Sequence, residues 1–204
     1  MKSVIRRYSE LGDELVLAPE RWLSAPDAST GVALGELVEE RIERVKASVI
    51  LDVTHARDGY VDLPAVLRAS AEPGARSSKK RAIANDVIVS RLRPYLRQVA
   101  LVHPSLLAHG PLALSTEFYV LAAKTPGEDV AWLVPWLLAP ATQATLAAAQ
   151  EGGHHPRVPR ASLFALRVPD ALVARRAEIA RATRAALDAL YAAMTAWSAL
   201  IAAE

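Results

Sequence analysis

From residue 170 to residue 204 the chain contains neither glycine nor proline, and alanine is its commonest residue there. Such a stretch lacks the two residues that end helices most readily and is filled with the best helix former, so one continuous helix is expected over 170–204. Asp170, directly after Pro169, is the expected N-cap. At about 1.5 Å per residue this helix would run roughly 50 Å. Val173, Ala180, Leu187, Met194 and Ile201 recur every seventh residue, and Arg176, Thr183, Leu190 and Trp197 occupy the second seam position. Leu187, Leu190, Met194, Trp197 and Ile201 are therefore expected to meet a partner helix. The other solution is a helix folded back on its own domain. No second long helix is legible elsewhere in the chain, which favours a coiled-coil contact with another chain. The chain divides on this reading into a domain over 1–168 and a helix over 169–204.

The remainder has to supply a core, and 204 residues with 52% hydrophobic and 23% charged suffice for one soluble domain. The chain has no cysteine, which removes disulfides and thiolate-held metals and allows a reducing compartment. Residues 1–20 mix charge with short apolar runs, and no window reaches about 18 apolar residues, so neither a signal peptide nor a membrane span is expected. A cytoplasmic protein is the expectation. The net charge of +2 hides an uneven distribution. Acids outnumber bases over 11–43, whereas 76–102 holds Arg76, Lys79, Lys80, Arg81, Arg91, Arg93 and Arg97 against Asp86 alone.

Periodicity predicts a short amphipathic helix over 32–45, with Leu34, Leu37, Val38, Ile42 and Val45 on one side. Residues 49–53 and 60–63 read as strands flanking a turn with Asp58-Gly59, and 72–80 as an exposed loop ending in three cations. Runs rich in β-branched and aromatic residues at 86–92, 98–103 and 116–122 read as the central strands. Pro135 and Pro140 break 129–150 into two short helices, stopped by Gly152-Gly153. Residues 154–160 then form a loop and 163–168 a last strand. The expected fold class is α/β, a mixed sheet with packed helices, followed by one long C-terminal helix.

Motifs for catalysis are missing. Nine scattered glycines form neither a phosphate-binding loop nor a dinucleotide fingerprint, and no nucleophile elbow or His-Glu-x-x-His pair occurs. No cofactor and no catalytic or metal-ligating residue is expected. His154 and His155 are adjacent imidazoles, but neighbours in an extended loop point apart and Arg157 would repel a cation, so donors to phosphates or base edges suit them better. Ser90-Arg91-Leu92-Arg93-Pro94-Tyr95-Leu96-Arg97 packs three arginines into the end of a strand and its turn. Arginine holds phosphate or guanine in a bidentate fork. The other reading of this segment is a solvated edge with internal ion pairs.

Ala84-Asn85-Asp86-Val87-Ile88-Val89-Ser90-Arg91-Leu92-Arg93-Pro94 resembles the "GD-apolar-apolar-S-R-x-R-P" strand and turn of type I restriction-modification specificity subunits. Ser115-Thr116-Glu117-Phe118-Tyr119-Val120-Leu121 resembles the family's next strand, and residues 132–146 its two helices. Gly153-His154-His155-Pro156-Arg157-Val158 is similar to its Gly-x-x-x-Pro-Arg loop, leading to Leu163-Phe164-Ala165-Leu166-Arg167-Val168-Pro169. Ala33-Leu34-Gly35-Glu36-Leu37-Val38 and Asp58-Gly59-Tyr60-Val61 fit its opening helix and hairpin. The order of motifs agrees over nearly the whole chain. Asn85-Asp86 stands where Gly-Asp is usual, and Pro169-Asp170-Ala171-Leu172 replaces the familiar Pro-Pro-x-x-Glu-Gln.

The resemblance implies a non-catalytic target-recognition domain that reads double-stranded DNA, with a helix that spaces it from a second such domain and docks methyltransferase and possibly restriction subunits in a phage-defence system. The chain has room for one domain and one helix, hence a half-length specificity subunit working as a homodimer on an interrupted, symmetric site. Arg76, Lys79, Lys80, Arg81, Ser90, Arg91, Arg93, Arg97, His154, His155, Arg157 and Arg160 are the expected DNA-facing residues. A non-catalytic adaptor that keeps the fold and binds only protein is the alternative.

Overall fold

The computed structural model describes residues 31–45, 49–70, 79–153 and 155–202. The described residues begin with β1 (Val32–Ala33), one helical turn α1 (Leu34–Leu37), β2 (Val38–Glu40), β3 (Arg44–Val45) and β4 (Val49–Leu51). The hairpin β5 (Ala56–Arg57) and β6 (Tyr60–Val61) and the helix α2 (Leu63–Ser70) follow. Next come β7 (Lys79–Ala82), β8 (Val87–Ser90), β9 (Val99–Leu101), β10 (Leu112–Leu114) and β11 (Phe118–Ala123). The helices α3 (Leu133–Leu137), α4 (Pro140–Ala148) and α5 (Arg160–Phe164) lead to β12 (Arg167–Val168), then to α6 (Asp170–Ala174) and the long α7 (Arg176–Ala202).

Two four-stranded sheets carry the core. One has the order β2-β11-β8-β9 and is antiparallel throughout; the other has the order β3-β7-β10-β4, with β10 and β4 parallel. Every residue of β8, β9 and β10 is buried, as expected of strands covered on both faces. Phe118, Trp132, Leu133 and Leu137 fill the space between sheet and helices. The class is the expected one, mixed sheets with packed helices and a long C-terminal helix.

Several local expectations are corrected. The helix predicted over 32–45 lasts only one turn, because Val38, Glu39 and Glu40 pair with Ala123, Ala122 and Leu121 as an edge strand. Ile42, assigned to its apolar face, is 75% exposed. Tyr60–Val61 pairs with Ala56–Arg57 instead of residues 49–53, whose strand runs parallel to β10. Asp58 and Gly59 both have positive φ (47° and 98°), the two-residue hairpin turn whose twist matches its strands. Lys79, Lys80 and Arg81 lie on β7 and not in a loop; residues 71–78 lie outside the described residues. Of the strand expected over 163–168, Leu163 and Phe164 end α5 and only Arg167–Val168 are extended.

The C-terminal segment is helical but broken. Pro169, not Asp170, is the N-cap of α6, and no side chain caps it. The backbone turns at Arg175, so that Leu172 and Val173 pack on the core from one axis and Ile179 from the next. The heptad seam also divides. Ala180 and Leu187, together with Tyr191, are buried against the domain itself, whereas Trp197 and Ile201 are exposed.

Candidate nucleic-acid interface

Glu40 and Glu117 gather four cations contributed by four different segments. Glu40 ends β2 with its carboxylate buried; Lys80 donates to one oxygen at 2.8 Å and Arg160, at the start of α5, to the other at 2.7 Å. The Lys80 Nζ also donates to the carbonyl of Phe118 at 2.7 Å. Glu117, just before β11, accepts a bidentate pair from Arg157 at 3.0 and 2.9 Å. This guanidinium beside it holds the Glu117 carboxyl below its ordinary range, against the opposing effect of burial. Arg91 lies 3.7 Å from the same carboxylate, and its buried Nε has no partner within hydrogen-bond reach.

Tyr119 forms the floor. Lys80 and Arg91 stand 5.5 and 5.7 Å from its ring centroid, and its hydroxyl donates to the carbonyl of Val158 at 2.8 Å. Burial raises the Tyr119 phenol above its usual value, so it stays a neutral donor. Arg160 stacks on Phe164 at 4.2 Å. The loop bearing Arg157 is stitched to the end of β8: Val158 N–H donates to Arg91 O at 2.8 Å, and Leu92 and Arg157 form a bridge. Ser90 closes the turn, its hydroxyl accepting from Leu92 N–H and donating to Leu92 O, both at 3.1 Å. Four cations thus surround two carboxylates. The side chains of Arg91, Arg157 and Arg160 keep 36%, 38% and 58% of their surface exposed, leaving guanidinium edges free for phosphate or a base edge.

Other expected residues sit elsewhere in the bonding pattern. Arg81 pairs with Glu43 at 2.7 Å. Arg97 is an anchor: it donates to Asp58 at 2.7 Å and to the carbonyl of Leu138 at 2.9 Å. Among the described residues neither Lys79 nor the exposed Arg93 has a carboxylate partner. The exposed His155 gives its carbonyl to Arg157 at 3.1 Å. Arg76 and His154 lie outside the described residues. Glu40, Glu117 and Tyr119, which organise the cluster, were not among the expected site residues. Glu117 was visible only within a motif, and Glu40 only inside the segment misread as a helix. No group of metal-ligating side chains occurs among the described residues.

On the opposite element, α7 is bound to the domain by polar contacts. Arg184 forks onto Asp129 and also reaches Asn85, Arg176 pairs with Glu128 at 3.0 Å, and His103 meets Asp188 at 2.8 Å. His103 stacks on Tyr191 at 4.2 Å, and the Tyr191 hydroxyl bonds both the N–H and the carbonyl of Val61, at 2.9 and 3.0 Å. Burial pushes the Tyr191 phenol up to about 12. Beyond Tyr191 the helix leaves an apolar groove of about 560 Å³ against α2, lined by Leu63, Pro64, Leu67, Met194 and Ile201. Leu190 is partly buried against the core, while Trp197 and Leu200 face solvent. Among the described residues no helix is long and apolar enough to cross a membrane.

No family model and no curated protein matches the chain. Solved structures similar to it include the following two. One, described as the structural basis underlying complex assembly and conformational transition of the type I R-M system, matches with 22% identity and a TM-score of 0.51 over 83% of this chain and 43% of that chain. The other, the HsdS subunit from Thermoanaerobacter tengcongensis, matches with 21% identity and a TM-score of 0.49 over 79% of this chain and 43% of that chain. The chain thus spans less than half the length of either. At this identity the first likeness shows a shared fold, and it is the fold that the motifs in the sequence implied.

Proposed function

We propose that the chain is a specificity module of a type I-like restriction-modification or methyltransferase complex, reading double-stranded DNA through one recognition domain. The observation that carries this reading is the convergence of Lys80, Arg91, Arg157 and Arg160 at the end of β8, in a fold shared with a type I R-M structure. Phosphate contacts by these cations set affinity and its salt dependence, while one or two of Arg91, Arg93 and Arg157 read base edges. The module is non-catalytic, and a methyltransferase subunit supplies the chemistry. The long helix pairs with a second copy through Leu190, Met194, Trp197 and Ile201, whose spacing of three and four residues, about one turn, puts them on one side of α7; Leu187 serves the domain's own core. The pair then reads two half-sites related by a two-fold axis.

Selection from a randomised duplex pool at two salt concentrations, with and without a methyltransferase subunit, tests this. Enrichment of two spaced inverted motifs is the expected result. A specific observation favours a second reading, an adaptor without DNA affinity: Lys80, Arg81, Arg91, Arg97, Arg157 and Arg160 already face carboxylates. An adaptor would show no salt-dependent retention of duplex and no enriched motif.

A further inference from the structure

The turn between β8 and β9 presents two large apolar side chains to solvent. Tyr95 is 66% exposed and Leu96 43% exposed, yet the single helical turn that carries them, Pro94–Leu96, is held at both ends. Arg93 before it and Arg97 after it both take the left-handed conformation, with φ of 44° and 53°, which residues with a side chain adopt only against a steric penalty. Pro94 is buried, Leu96 N–H donates to Arg93 O at 2.9 Å, and Arg97 N–H donates to Pro94 O at 2.8 Å. The Arg97 side chain is fixed by Asp58 and by the carbonyl of Leu138. A single exposed apolar residue needs no explanation. Two adjacent ones on a clamped, strained turn, with Arg93, which has no carboxylate partner among the described residues, on one side and Arg91, which shares Glu117 with Arg157, directly upstream, form a built projection.

We propose that this turn is a DNA-inserting element: Tyr95 and Leu96 press into a groove of the duplex against base edges and sugars, and Arg93 takes a neighbouring phosphate. The occupant follows from the surroundings, because the projection rises from the same strand end as the cation cluster and a polyanion with apolar groove walls satisfies both. The role of Arg97 changes accordingly, from a DNA contact to the fastening of the turn. This inference rests on the DNA-reading function proposed above.

The test uses the full chain and the variants Tyr95→Ala, Tyr95→Phe and Leu96→Ala, with two probes: an unselected pool of random duplexes, and the duplex that the unaltered protein enriches from it. Both alanine variants are expected to bind the enriched duplex about tenfold more weakly. Their affinity for the unselected pool and its salt slope stay unchanged, since no charge is lost, and this also shows that they are folded. Tyr95→Phe retains the affinity because the ring and not the hydroxyl makes the contact. Unaltered affinity and motif in both alanine variants would overturn the insertion and leave DNA reading intact. Equal loss in Tyr95→Phe and Tyr95→Ala would also overturn it, by assigning the contact to the hydroxyl. Absence of any duplex binding by the unaltered protein would remove the DNA reading and the insertion together.

Discussion

At the scale of residues, the candidate interface depends on two carboxylates as much as on its arginines. Glu117 fixes the Arg157 fork and partly neutralises Arg91. Glu117→Gln should therefore release both guanidiniums: affinity for unselected duplex rises about threefold and the log–log salt slope steepens by about 1, while discrimination between sequences falls. A salt titration with selected and unselected duplexes checks both halves. Elsewhere the buried Asp86 is held by Arg41 at 2.9 and 3.2 Å and by the N–H of Ile83 at 3.0 Å. Arg41→Ala leaves that carboxylate largely uncompensated and should destabilise the fold by about 2–4 kcal/mol in urea unfolding. The clustering of Arg91 and Arg93 was legible in the sequence because the two are neighbours. Their acidic partners were not, since Arg157 and Glu117 are 40 positions apart and Arg160 and Glu40 are 120 apart. The assignment of Arg97 to DNA failed to anticipate its anchoring role for the same reason: Asp58 and Leu138 reach it only in three dimensions.

At the scale of elements, the central strands β8, β9 and β11 were readable because each is a compact run of β-branched and aromatic residues. Residues 32–45 deceived because their apolar spacing fits a helix, while pairing with β11 decides the outcome. The final helix was legible from alanine content, but its break at Arg175 was not, as no glycine or proline marks it. Its docking can be measured. Tyr191→Phe removes two hydrogen bonds to Val61 and should cost about 1–3 kcal/mol in urea unfolding. Acid should loosen the same helix. Burial alone would raise the Asp129 carboxyl, but the Arg184 fork and the Ala131 N–H hold it below its ordinary value. Folded protein therefore binds the proton less readily than unfolded protein. The stabilisation is complete above the ordinary aspartate value, near 4, and is lost as pH falls through the lower folded-state value. Hydrogen exchange of α7 amides followed down the acid range should show this loss, and Arg184→Ala should weaken the pH dependence, since only the Ala131 N–H then favours the carboxylate.

At the scale of the whole molecule, the division of α7 into a docked half and an exposed half sets the expected assembly. Exposed Trp197, Leu200 and Ile201 leave apolar surface on the outer helix that a second copy would cover. Trp197→Asp combined with Ile201→Asp should leave the domain folded and turn a concentration-dependent dimer into a monomer in sedimentation velocity. The heptad arithmetic in the sequence showed that a seam exists; it could not show that Ala180 and Leu187 would be buried in the domain, because Val61 and His103, the groups that dock the helix at Tyr191, lie far from it in sequence. A different consequence follows from β1 and β12. Val32 and Val168 are direct antiparallel partners, Leu34 N–H donates to Leu166 O at 2.9 Å, and Gly31 lies so close to Val168 that a Cβ there would stand 2.4 Å from its carbonyl oxygen. Residues 31–34 and 166–168 are therefore tied side by side, at the root of the long helix. Exchange of everything between residues 32 and 168 would thus also change what the long helix rests on, because Val61, His103 and Asp129 hold its Tyr191, Asp188 and Arg184.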